Sequence, residues 1–144
     1  MSRRERVSDI RTYVLDSFAT LAYLEGEAGM ETVKAKLRQA EIDKCVIFLS
    51  IINLGEVLYI TERERGITMA RAVLATIDQL PIHLLTADRQ AVLAAAHIKA
   101  SHRLSYADAF VVAAAQEHQA IILTGDPEFR SVERLITIEW LPQS

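Results

Sequence analysis

Four carboxylates stand where a carboxylate is costly. Asp16 directly follows the apolar run Tyr13-Val-Leu15, and Asp126 follows Ala120-Ile-Ile-Leu-Thr124 after a single glycine. Glu56 sits in Leu54-Gly-Glu-Val-Leu-Tyr-Ile60, and its neighbours three and four positions away are Ile52, Asn53, Tyr59 and Ile60, mostly apolar. Asp108 sits in the equally apolar stretch Ser105-Tyr-Ala-Asp-Ala-Phe-Val-Val112. A carboxylate among apolar side chains must be neutralised or paired. Yet no Lys or Arg occurs from Thr12 to Thr32, from Cys45 to Glu62 or from Leu104 to Phe129. Asp16, Glu56 and Asp108 therefore have no cation close in sequence. Carboxylates that converge without one raise one another's pKa, and a divalent ion resolves the repulsion. Hard oxygen donors, with no paired His or Cys ligands, point to Mg²⁺ or Mn²⁺ rather than zinc.

Each acid also has a purely structural reading. Asp16 suits the N-cap of a following helix, Ser105-x-x-Asp108 is close to a capping box, and Asp126-Pro127 is ordinary turn chemistry. Glu56 caps nothing. Beside the acids, the hydroxyls of Ser17 and Thr124 and the amide of Asn53 are candidates for orienting a carboxylate or holding a water. The four histidines show no paired ligand spacing, and Cys45 reads as a small hydrophobe opening a buried strand.

The elements that must position these residues follow from hydrophobic patterning. Strands are expected at Thr12–Leu15, Cys45–Leu49, Ile82–Leu85, Ala120–Thr124 and Leu135–Trp140. Between them helical patterns run from Asp16-Ser17 to Gly26, from Met30 to about Ile42, and from Ile51 to about Arg65. Further helices are expected from Thr68 to Leu80, from Ala87 to about His102 and from Tyr106 to His118, with Ser50 and Ser105 as caps. Apolar strands alternating with helices imply an α/β fold, a three-layer α/β/α domain around a parallel sheet of about five strands. In such sheets the site lies at the carboxyl ends of the strands. Asp16 and Asp126 fall there directly, and the helices carrying Glu56 and Asp108 start near the same edge.

The 144-residue chain fits one domain, expected over residues 13–144, behind a basic arm at residues 1–12 containing Arg3, Arg4, Arg6 and Arg11. Hydrophobic residues make up 51% and charged residues 24%, which excludes a disordered chain. The single cysteine excludes a disulfide framework. The longest wholly apolar stretch, Ala109–Ala115, falls far short of the ~20 residues a membrane span requires, so a cytoplasmic protein is expected. The formal net charge of −3 argues against a module that merely coats nucleic acid. It permits an enzyme that touches nucleic acid over a small area, gripping it with Arg3, Arg4, Arg130 or Arg134.

Together the motifs Tyr-Val-Leu-Asp16-Ser, Ile-Asn-Leu-Gly-Glu56-Val, Leu-Ser-Tyr-Ala-Asp108-Ala-Phe and Thr-Gly-Asp126-Pro-Glu-Phe129 resemble those of PIN-domain ribonucleases, specifically the VapC-type toxins of VapBC toxin–antitoxin modules. The resemblance runs from Tyr13 to Leu141. It implies an acidic pocket for one or two Mg²⁺ or Mn²⁺ ions built on Asp16, Glu56 and Asp108 with support from Asp126. It further implies metal-dependent cleavage of RNA, a homodimer, and a cognate antitoxin covering the site, for which the apolar faces of the first two helices are the expected docking surface. A free-standing PIN nuclease in RNA processing, or a PIN scaffold that binds a partner or RNA without cutting, would share these motifs. Ser17 matches the small hydroxyl residue that the family places after its first aspartate, whereas Phe18 departs from the pattern. A receiver domain would need a lysine at the end of its last strand, where Thr137-Ile-Glu139 stands. A haloacid-dehalogenase-like phosphatase would need Asp in place of Phe18.

Overall fold

The computed structural model describes residues 10–143. Strand β1 (Arg11–Leu15) leads into α1 (Ser17–Glu25) and α2 (Met30–Glu41); β2 (Cys45–Ser50) leads into α3 (Ile51–Arg65) and α4 (Ile67–Gln79). β3 (His83–Leu85) is followed by α5 (Arg89–Ser101) and α6 (Tyr106–His118), and β4 (Ile121–Thr124) by a 3-10 helix (Pro127–Val132) and β5 (Ile138–Trp140). The five strands form one sheet in the order β3-β2-β1-β4-β5, all pairs parallel. β1 begins at Arg11, paired with Cys45, so Arg11 and Thr12 lie in the sheet. Arg3, Arg4 and Arg6 of the expected basic arm lie outside the described residues.

Side-chain alternation along the strands divides the core in two. Tyr13, Leu15, Ile47, Leu49 and Leu123 face a layer built from α1 to α4, including Val33, Leu37, Leu54 and Ile77. Val14 and Ile122 face the opposite layer of α5, α6 and the 3-10 helix, including Ala95, Ile98, Phe110 and Phe129. The fold is thus the expected three-layer α/β/α sandwich. Every residue of α6 from Asp108 to Ala115 is buried. Its alanines let the helix lie close to α5 and the sheet, so Asp108 is carried into the interior by the apolar face beside it.

Local signals set where helices start. Asp16, Ser50, Asp88 and Ser105 are N-caps whose side chains accept hydrogen bonds from backbone N–H groups of Ala19, Ile52, Ala91 and Asp108. Gly26, at φ 67°, ends α1 in the left-handed conformation that closes a helix. Among the described residues no helix is long and apolar enough to cross a membrane.

Candidate metal centre

The strand order reverses at β1, which has β2 on one side and β4 on the other. Crevices at such switch points, beyond the carboxyl ends of the strands, are where open α/β sheets bind ligands. Asp16 stands at this point, next in series after the Leu15–Leu123 pair and therefore beside Thr124. It is 1% exposed. Its Oδ1 accepts from the Ala19 N–H at 2.8 Å, capping α1, and its Oδ2 accepts from the Thr124 hydroxyl. One oxygen of the carboxylate thus caps α1 while the other is held from β4. Desolvation pushes its pKa from 3.8 up to about 7, against the lowering effect of these two hydrogen bonds.

Asp108, in the first turn of α6, is also buried. Its N–H donates to Ser105 Oγ at 3.1 Å, the N-cap half of a capping box. Its carboxyl pKa is pushed from 3.8 up to about 8, first by burial, then by the charge of Asp16, a hydrogen bond shared with Glu128 and the charge of Asp126. Asp126 is fixed at both ends. Its N–H donates to Thr124 Oγ1 at 3.0 Å, and its Oδ1 accepts from the Glu128 N–H at 3.0 Å. Carboxylate oxygens of Asp108, Asp126 and Glu128 lie within 4.8 Å of one another.

Glu128 joins this acidic group, and sequence reading did not single it out. Pro127 opens a 3-10 helix with Asp126 as its N-cap, and Phe129, fully buried, anchors it on the sheet. That turn swings Glu128 back towards Asp108. The available signal was Asp-Pro followed by one acid and a large apolar residue. Glu56 is placed differently. It lies one turn beyond Asn53 on α3, half-buried, and is not part of the close group of three.

The supporting residues divide by role. Thr124 bridges two acids, donating to Asp16 and accepting from Asp126. Ser17 instead turns to α3, donating to the Asn53 carbonyl at 3.4 Å and accepting from Asn53 Nδ2 at 3.2 Å. Asn53 also reaches the Ala107 carbonyl at 3.4 Å, so its fully buried amide ties α1, α3 and α6 together around the crevice. Its Oδ1 has no hydrogen-bond partner. Replacing Thr124 by Val keeps the shape but removes both bonds; a loss of about 1–3 kcal/mol is expected in denaturant unfolding.

Phe18 explains the glycine of Thr124-Gly-Asp126. A Cβ at Gly125 would overlap the ring edge of Phe18 and crowd Gln143. Gly125→Ala is therefore expected to cost about 1 kcal/mol or more. Most of that cost should vanish in the Phe18→Ala background, measured as a double-mutant cycle. Arg134 lies with Gln119, Ala120 and Ile121, at the amino end of β4. It is on the wrong edge of the sheet to grip anything at the acids.

Hard oxygen donors converge here with none of the described Lys or Arg residues in ion-pair distance of Asp16, Asp108, Asp126 or Glu128. Two of the acids are held far above their ordinary pKa, and buried Asn53 carries an amide oxygen with no hydrogen-bond partner. This donor set fits a divalent cation of the Mg²⁺ or Mn²⁺ type. Fold and site together define an α/β protein with an acidic crevice at its topological switch point. Residues 13–135 match the model of the PIN domain family. The chain belongs to that family.

Solved structures of similar fold come from toxin–antitoxin systems. VapBC2 from Rickettsia felis, bound to a promoter DNA fragment, matches with a TM-score of 0.72 at 12% identity, over 91% of this chain and 99% of that one. DNA-bound VapBC from Salmonella typhimurium matches with a TM-score of 0.69 at 19% identity, over 90% and 98%. VapC20 from Mycobacterium tuberculosis, a sarcin-ricin loop cleaving toxin, matches with a TM-score of 0.65 at 21% identity, over 84% and 94%. A search of curated proteins by sequence finds no match.

Proposed function

We propose that this chain is a divalent-metal-dependent endoribonuclease, the VapC-type toxin of a type II toxin–antitoxin pair. The observation that carries this reading is the convergence of Asp108, Asp126 and Glu128 at the switch point, with the charge of buried Asp16 acting on Asp108 and no described protein cation in ion-pair distance. Asp16, Asp108 and Asp126 would hold Mg²⁺ or Mn²⁺, with Glu56 approaching from α3. The ion supplies an activated water and positive charge for the scissile phosphate. The chain's own residues do the positioning. Thr124 fixes the orientation of Asp16 and the turn carrying Asp126, and Glu128 beside Asp108 helps to keep the Asp108 carboxyl pKa raised. Attack by water rather than by the 2′-hydroxyl leaves 5′-phosphate and 3′-hydroxyl ends and needs no pair of histidines.

The similar folds come from complexes with antitoxins, which supports an antitoxin partner here. A cleft of about 350 Å³ between the α1–α2 and α3–α4 pairs, lined by Leu21, Leu24, Met30, Met69 and Val73, is the docking surface for an apolar antitoxin segment. We place the protein in the cytoplasm, as a homodimer when free of antitoxin. The test is cleavage of structured RNA with Mg²⁺ or Mn²⁺ and with chelator. Ion-dependent cutting that leaves 5′-phosphates is expected. No cutting with any divalent ion would overturn the nuclease reading and favour a PIN scaffold that only binds.

A further inference from the structure

The row of residues that places Asp16 beside Thr124 continues one strand further. Thr124 is in register with Trp140 at the end of β5. Side chains paired across parallel strands share a face of the sheet, with strands about 5 Å apart. Trp140 therefore stands on the same face as Asp16 and Thr124, at the rim of the acidic crevice. Ile138, two residues earlier and on the same face, packs into the α5–α6 core and anchors the strand. Trp140 itself stays 36% exposed. An Arg130 guanidinium lies 5.4 Å from the ring centroid. Arg130 is exposed and has no carboxylate within ion-pair distance among the described residues. It comes from the 3-10 helix that also carries Glu128, so crevice and platform share one short element.

A partly exposed indole with an exposed guanidinium over its ring, next to the acidic group, makes no ion pair with the acids. Their chemistry suits an unpaired nucleotide: the indole stacks on a base face, and the guanidinium meets its phosphate. We propose that Trp140 and Arg130 form a stacking platform for a base of single-stranded RNA flanking the scissile phosphate. This inference rests on the nuclease reading of the crevice. Base-paired RNA keeps its base faces stacked and would not use the platform.

Trp140 is the chain's one tryptophan, so intrinsic emission reports on this ring alone. In chelator, where RNA stays intact, titration of the full-length protein with oligo(A) should quench the emission, and a duplex of equal length should not. In the Mn²⁺ cleavage assay on a single-stranded substrate, Trp140→Ala should raise KM about 10-fold with kcat changed no more than about twofold, and Trp140→Phe should recover most of the loss. Arg130→Ala should raise KM and flatten its salt dependence, an effect Arg130→Lys reverses in salt dependence but not in full affinity. Should Trp140→Ala fail to fold, the quenching and Trp140→Phe still decide. Cleavage without quenching, or equal quenching by duplex, overturns the platform and leaves the nuclease standing. Quenching by oligo(A) without cleavage in any metal supports the platform and overturns the nuclease reading.

Discussion

Replacing Asp108 by asparagine is expected to cut RNA cleavage by more than about 100-fold while making the metal-free protein more stable. The activity loss follows from position. Residues that merely support a metal ligand cost about 10–100-fold when replaced, and Asp108 faces the crevice directly. The gain in stability follows from electrostatics. Asp108 is buried beside the charges of Asp16 and Asp126, which together hold its pKa at about 8. At pH 8 an asparagine removes both the buried charge and that repulsion, so a gain on the order of 2 kcal/mol or more is expected. Rates on RNA and thermal melts of the same two proteins check both parts. Loss of activity with loss of stability would mean that Asp108 is a structural residue.

The second large effect is a pH-dependent response to metal. Asp16 and Asp108 have folded-state values of about 7 and about 8 against an ordinary 3.8. Between about pH 4 and pH 8 the folded protein therefore binds more protons than the unfolded chain. Their contribution to stability is fully present below the ordinary value and is lost as the pH rises through about 7 and 8. A loss of several kcal/mol between pH 5 and pH 8 is expected, and with it a fall of more than about 10 °C in Tm at this chain length. Mn²⁺ binds the ionised carboxylates only, so it should restore most of that loss at pH 8 and change little at pH 5. Melts in chelator and in Mn²⁺ across this range provide the check. A metal-free protein whose Tm rises towards pH 8 would contradict the burial and coupling of these two acids.

Much of this was legible from residue order because the signals are local. An apolar strand-length run followed at once by an acid, as in Tyr13-Val-Leu-Asp16, puts that acid at the carboxyl edge whatever the rest of the chain does. Ser50 and Ser105 mark their helix starts equally plainly. The remainder depends on geometry that no local pattern carries. Glu128 reaches Asp108 only because the chain after β4 winds as a 3-10 helix pinned by Phe129. Ser17 could have faced the acids, but the packing of α1 on α3 turns its hydroxyl to Asn53. Glu56 and Asp108 both sit on apolar helix faces, yet only Asp108 joins the close group, a difference of helix placement rather than of pattern. Arg130 and Arg134 are one helical turn apart in sequence and end at opposite edges of the sheet, since the chain leaves the carboxyl edge at Gly125 and returns to the amino end before β5.

Locating Mn²⁺ by its anomalous scattering in crystals grown near pH 8 asks most directly whether acids from separate elements coexist by sharing an ion. A peak between the Asp16 and Asp108 carboxylates, with Asp126 in contact, is the predicted result, and the Asp108→Asn crystals should lose it. A peak on Asp126 and Glu128 alone, with Asp16 still engaged only with Thr124 and Ala19, or no peak at all, would contradict the account.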